Sequence, residues 1–151
     1  KLSRSESKEI IENYYKSYPK LKDFTQDQIE FARENGYVKT ILGRKRFLND
    51  INSRNAILRS SAERNAINTP VQGSAADIIK IAMVKINNEF QKKSIKSKLI
   101  LQVHDELIFD CLKDELNIVE EIISSSMQNA YKLKVPLKVD IGLGNNWLEA
   151  H

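Results

Sequence analysis

The sequence contains a single cysteine, Cys111, so no disulfide can close within the chain, which is compatible with a reducing compartment. Its apolar runs are only a few residues long, which excludes a hydrophobic helix able to span a membrane. The opening residues Lys1-Leu2-Ser3-Arg4 carry no signal-peptide core and no initiator methionine, as expected of a fragment or a processed chain. Internal repeats and low-complexity linkers are also missing. What is present is ordinary for a globular protein: 151 residues, 41% hydrophobic and 29% charged, enough for one or two small domains.

Net charge is a mild +4, but its placement is uneven. Between Tyr37 and Arg64 lie seven basic residues, Lys39, Arg44, Lys45, Arg46, Arg54, Arg59 and Arg64, against Asp50 and Glu63. Such a concentration would attract a phosphate backbone. A solvated basic surface is the alternative reading.

Periodicity divides the chain into elements. Ser3-Arg4-Ser5-Glu6 has capping-box spacing, and Ile10, Ile11, Tyr14, Tyr15 and Tyr18 follow at helical intervals up to Pro19. That spacing places the tyrosines in a core rather than on a base-stacking surface. A second helix is predicted over 20–35, with Gly36 at its C-cap. Two short strands, 37–41 and 44–48, are expected around Leu42-Gly43. Helical pattern resumes near Ile57. At Thr69-Pro70-Val71-Gln72 either a new helix starts or a long one kinks. Ile78, Ile79, Ala82, Met83, Ile86 and Phe90 form one apolar stripe beyond it.

Residues 98–103 and 107–111 are rich in β-formers and are separated by His104-Asp105-Glu106, which predicts a hairpin with carboxylates at its tip. Asp114 is placed to cap a helix carrying Leu116, Val119, Ile123, Met127 and Ala130. Leu137, Val139, Ile141 and Leu143 alternate with Lys138, Asp140 and Gly142, the pattern of a half-buried strand. This order of elements predicts an α+β fold, an antiparallel sheet backed by helices.

Three groups of residues could carry chemistry. Adjacent carboxylates at Asp105 and Glu106 repel each other and make sense around a divalent cation; a solvated acidic turn is the alternative. Strand neighbours face opposite ways, so one of the two would be the principal ligand unless the turn bends the backbone. Arg64, Asn68 and Gln72 are four apart and share a helix face if the helix runs through Pro70. All three side chains can bond phosphates, sugars or base edges, although Gln72 could equally be a capping residue and Arg64 an ion-pair partner. Gly43-Arg44-Lys45-Arg46 is a phosphate patch or a solvated hairpin tip.

Taken together, these segments resemble DNA polymerases of family A. Gln102-Val103-His104-Asp105-Glu106-Leu107 is similar to the family's third catalytic motif. The stretch from Ala62 to Asp77, Ala-Glu-Arg-Asn-Ala-Ile-Asn-Thr-Pro-Val-Gln-Gly-Ser-Ala-Ala-Asp, resembles the segment that precedes it. Gly36-Tyr37-Val38, the Gly43–Arg46 run and the ending Asn146-Trp147-Leu148-Glu149-Ala150-His151 match in order, and the ending suggests that His151 is a natural terminus. The resemblance implies a palm sheet with a catalytic hairpin, backed by helices, plus a helical portion of the fingers. Residues 1–57 would be the C-terminal part of the fingers and 58–151 the C-terminal part of the palm.

The resemblance also implies roles. Asp105, with Glu106 beside it, would hold the two Mg²⁺ ions of a two-metal nucleotidyl transfer onto a primer 3′ end. Arg64, Asn68, Gln72 and His104 would lie at the primer–template junction, and Arg46 and Arg54 would approach the template backbone. The partners would be primer–template DNA and deoxynucleoside triphosphates, in a monomeric, cytoplasmic enzyme of replication and repair that does not touch a membrane. Leu42 and Asn49 depart from the family pattern, which bears on the local turn only. The related phage RNA polymerases have a motif resembling His-Asp-Ser, so Glu106 points to DNA synthesis. The family's other catalytic aspartate, the nucleotide-binding fingers helix, the thumb and any exonuclease have no counterpart here, so the chain alone is expected to be inactive. Two other readings remain at this point: a non-catalytic DNA-binding palm module, and a metal-dependent nuclease that recruits Asp110 or Asp140.

Overall fold

The computed structural model describes residues 2–150; Lys1 and His151, the two ends of the sequence read above, lie outside the described residues. The elements are α1 (Arg4–Ser17), α2 (Pro19–Asn35), β1 (Tyr37–Lys39), β2 (Lys45–Phe47), α3 (Ala56–Lys92), β3 (Lys98–Val103), β4 (Glu106–Asp110), a 3₁₀ turn (Lys113–Glu115), α4 (Leu116–Gln128) and α5 (Trp147–Ala150). The class is α+β, as expected. Two compact units divide the chain, Lys1–Ser74 and Ala75–His151.

In the first unit, α1 starts with the expected box: the Glu6 amide donates to Ser3 Oγ at 3.2 Å and the Ser3 amide donates to the Glu6 carboxylate at 2.7 Å. Pro19 opens α2 at a position where its missing N–H costs nothing. Gly36 closes α2 at φ 76°, a left-handed conformation that glycine adopts without a Cβ penalty, and its amide donates to the Ala32 carbonyl at 2.8 Å. The chain then turns directly into the antiparallel pair β1–β2, shorter than expected, with Val38 opposite Arg46. The core comprises Ala32, Val38, Leu48, Ile51, Ala62 and Ala66. Ala62 and Ala66 lie one turn apart on α3, and their small side chains let the loop residues Leu48 and Ile51 close in.

The tyrosines of α1 overturn their assignment to a core. No residue of α1 is buried; Tyr14 is 51% and Tyr18, at its C-cap, 58% exposed, and the Tyr14 ring packs on its neighbours Tyr18 and Tyr15, 5.1 and 6.0 Å away. Helical spacing groups side chains on a face but does not supply a partner for it.

In the second unit, Ile86 and Phe90 of α3 pack with Val119, Ile122 and Ile123 of α4, and Leu107 and Phe109 of the β3–β4 hairpin close over them. Phe90 and Phe109 lie 6.0 Å apart. The Lys85 ammonium donates to the carbonyls of Asn129 and Ala130, satisfying acceptors just past the end of α4. β3 and β4 form a two-stranded sheet with a register shift between Leu99 and Leu101; Ile100 and Leu101 are exposed.

Two further expectations fail here. Residues 137–143 form no strand: alternation is necessary for a half-buried strand, but ladder bonds to a neighbour are what make one, and no element among the described residues supplies them. Asp114 does not cap α4 either; it lies within the 3₁₀ turn. The working carboxylate is the next one along. Glu115 accepts from the amides of Lys96 and Ser97 and from Ser97 Oγ at 2.7–3.1 Å, while Ser97 Oγ in turn accepts from the Leu112 amide at 3.0 Å. The entry to β3 and the exit from β4 are thus tied to the start of α4.

The Ser97 hydroxyl first, and then the Lys96 amide, hold the Glu115 carboxyl below its ordinary value of 4.5. A folded-state pKa depressed in this way contributes stability that is present above 4.5 and is lost as pH falls through the lowered value. Glu115→Ala is therefore expected to lower Tm at neutral pH by roughly 2–4 °C, the scale on which a lost polar network moves a domain of this size. The Tm gap to the wild type should narrow below pH 4; thermal melts at pH 7 and pH 3 check this, and a gap that does not depend on pH would contradict it.

Candidate functional site

The carboxylate turn sits in the second unit. Val103 pairs with Glu106, which leaves a two-residue loop of His104 and Asp105. Glu106 is therefore the first residue of β4 and not part of the tip, a correction to the three-residue separation expected. Of the two loop residues only His104 has a positive φ, at 51°, in a region that glycine occupies most easily. The Gln102 side chain donates to the His104 carbonyl at 3.0 Å and braces the turn. His104 and Asp105 are exposed and Glu106 is half-buried. The backbone reversal at His104 removes Asp105 from strand alternation, so it is not compelled to face away from Glu106.

Oxygen donors of this kind suit a hard divalent cation. Among the described residues no three His, Cys, Asp or Glu side chains converge to make a complete metal cage. Asp110 is the last residue of β4, five positions from Asp105, or about 17 Å at the usual strand rise. Asp140 is exposed in the extended tail. Neither supplies the extra carboxylate that a self-sufficient nuclease centre would need.

The second cluster lies in the first unit. α3 runs unbroken through Pro70, so no new helix starts at Thr69, and Arg64, Asn68 and Gln72 occupy successive turns, all three exposed. Arg64 donates to Ser60 Oγ at 3.2 Å, while the neighbouring acid Glu63 pairs with Arg33 at 2.7 Å. Pro70 cannot donate to the Ala66 carbonyl, which weakens the helix at this turn.

Backbone and side-chain groups from the β1–β2 hairpin and its turn gather at the same turn. The Ile41 amide donates to Ser74 Oγ at 2.8 Å, and that hydroxyl donates to the Pro70 carbonyl. The Arg44 guanidinium donates to the Gly73 carbonyl at 3.1 Å, and that of Arg46 donates to Thr69 Oγ1 at 3.2 Å. The Lys45 ammonium stacks 4.3 Å from the Tyr37 ring centroid. The basic run is thus engaged within the protein as well as facing solvent. Gly73 is needed by contact, since a Cβ there would lie 2.6 Å from the Thr40 methyl. Gly73 and Ser74 lie in the stretch that carries the family resemblance, but the sequence reading assigns no role of their own to them or to Thr40; the one available signal was a pair of small residues a turn beyond a helix-interior proline. Arg54 is exposed in the loop before α3.

Comparison with known proteins places these features in a family context. The model of DNA polymerase family A matches residues 1–149. DNA polymerase I of Caldicellulosiruptor bescii is 49% identical over 149 residues, which are 99% of this chain and 18% of that protein. DNA polymerase I of Borreliella burgdorferi is 49% identical over 150 residues, 99% of this chain and 16% of that protein. The POL domain of Pol1 from M. smegmatis, solved in complex with DNA primer-template and dNTP, superposes with a TM-score of 0.96 at 41% identity, over 99% of this chain and 26% of that one. The chain thus spans less than a fifth of the length of these curated relatives.

The positive φ at His104 gives a stability test. Holding a non-glycine residue there costs about 1–3 kcal/mol. His104→Gly should leave stability unchanged or raise it by about 1 kcal/mol, and His104→Val should lower it by about 1–2 kcal/mol because a β-branched residue resists that backbone. Urea midpoints of the two variants measure the difference, and the opposite order would contradict the turn geometry.

Proposed function

The chain belongs to DNA polymerase family A, and from that membership we propose that it is part of a DNA-directed DNA polymerase. The complete enzyme adds deoxynucleotides to a primer 3′ end on a DNA template, in replication and repair. Residues 1–57 are assigned to the C-terminal part of the fingers and residues 58–151 to the C-terminal part of the palm. The observation that carries the reading is the two-residue turn that presents Asp105 to solvent beside Glu106, within a chain matched to the family from 1 to 149.

Two adjacent carboxylates fit magnesium, which takes oxygen ligands in octahedral geometry and keeps open positions for water and phosphate. The chemistry supplied when two such ions are bound is activation of the primer 3′-hydroxyl and neutralisation of charge on the leaving pyrophosphate. Asp105 contributes the principal carboxylate and Glu106 a peripheral one. Arg64, Asn68 and Gln72, exposed on one face of α3, bond sugar and minor-groove atoms at the primer–template junction, with His104 near them. Arg46 and Arg54 approach the template backbone; Arg46 is already oriented by its bond to Thr69. The substrates are deoxynucleoside triphosphates, the enzyme is a monomer, and it works in the cytoplasm. No helix among the described residues is long and apolar enough to cross a membrane.

In the complete polymerase, Asp105→Asn keeps the side-chain shape and removes its charge. Primer extension should fall about a thousandfold or more, since the ligand's share of charge stabilisation is worth roughly several kcal/mol, while primer–template affinity barely changes. Near-normal extension would refute the assignment. The 151-residue chain alone should incorporate no nucleotide, and any extension by it would show that the turn suffices without an opposing carboxylate.

Binding to DNA should be salt-sensitive and sequence-tolerant, with a log–log slope of about −0.9 for each phosphate neutralised. Arg46→Ala and Arg54→Ala are each expected to flatten that slope by roughly one phosphate equivalent, and Gln72→Ala to leave it unchanged. Titrations of a primer–template duplex at several salt concentrations distinguish these outcomes.

A further inference from the structure

We propose that the β1–β2 hairpin is a splint across the proline turn of α3, and that Thr40, Arg44 and Ser74 are positioning residues for Gln72. Asn68 and Gln72 lie on opposite sides of Pro70, where the helix lacks the bond to the Ala66 carbonyl. Their relative direction therefore depends on a turn that the helix does not hold by itself. The hairpin grips both sides of that turn. Before the proline, Arg46 holds Thr69; after it, Arg44 holds the Gly73 carbonyl and the Ile41 amide holds Ser74. Ser74 passes the restraint back to the Pro70 carbonyl. Thr40 completes the seat: it is buried, its hydroxyl accepts from the Arg44 amide at 3.2 Å, and its methyl faces Gly73 where no side chain fits. Gln72 itself is exposed, so its direction is set by its backbone.

This inference rests on the reading of Gln72 as a primer–template contact, and the experiment separates the two. In the complete polymerase, kcat/KM for extension of a matched primer terminus is measured for Gln72→Ala, Ser74→Ala and the double variant, together with primer–template Kd. Gln72→Ala should lose about tenfold, the worth of one good hydrogen bond at the junction. Ser74→Ala should lose about three- to tenfold with Kd unchanged, and the double variant should lose no more than Gln72→Ala alone, because both act through one contact.

Losses that multiply in the double variant would overturn the splint and leave the polymerase reading intact. A Gln72→Ala enzyme of full rate would instead remove Gln72 from the DNA site and the splint's role with it. A second pair guards against misfolding. Gly73→Ala should lower kcat/KM by forcing the Thr40 methyl away, and adding Thr40→Ser, which removes that methyl and keeps the hydroxyl, should restore it to within about twofold. Failure of this rescue would also overturn the proposal.

Discussion

A helix that runs through a proline is the constraint around which this chain is arranged. α3 carries Ala62 and Ala66 into the core of the first unit and Ile86 and Phe90 into that of the second. Pro70 lies between these pairs and removes one rung of the backbone ladder. An interior proline disfavours a helix by about 3 kcal/mol relative to alanine. The helix persists because packing on both sides of the proline and bonds from outside offset that loss. The external bonds come from a hairpin only three residues long on each side, which gives so short an element a purpose beyond its own marginal stability.

The carboxylate turn shows a different economy. A two-residue loop is the tightest way to reverse a strand, and here its first position holds histidine in a conformation that favours glycine. Residues held this way persist only where the surroundings enforce them, and they gather at functional sites. The enforcement is visible: the Gln102 side chain on the His104 carbonyl, and the Glu115–Ser97 network clamping the far end of the hairpin to α4. Asp105 thus sits at the tip of a hairpin that is braced at its turn and at its base.

Much of this was legible in the residues. Ser3 with Glu6, Gly36, most of the apolar stripe from Ile78 to Phe90 and the existence of a hairpin around Asp105 rest on local rules, in which a residue's role depends on neighbours within a few positions, and these stand where expected, with the turn one residue shorter. The continuity of α3 was open because proline suits both the start of a helix and a break in one. Apart from the ends of strands and the length of the turn, the failures share one cause: each depended on a partner distant in sequence. The tyrosine face of α1, the alternating tail at 137–143 and the cap assigned to Asp114 all had the right local pattern. Whether a face is covered, a strand paired, or the carboxylate that ties down the start of α4 is Asp114 or the Ser97-bound Glu115 is decided elsewhere. The inward engagement of Arg44 and Arg46 was hidden for the same reason, since their acceptors lie 23 to 29 residues away.

The open flank of β3 has a practical side. Among the described residues its sheet ends after two strands, with Ile100 and Leu101 exposed along the outer strand. A bare strand edge lined by apolar side chains invites another strand, including one from a second molecule of the same kind. Such an edge offers a route to edge-to-edge association of sheets. A lysine in place of Ile100, the residue that the register shift leaves without a cross-strand partner, would set a charge on that edge and oppose such pairing.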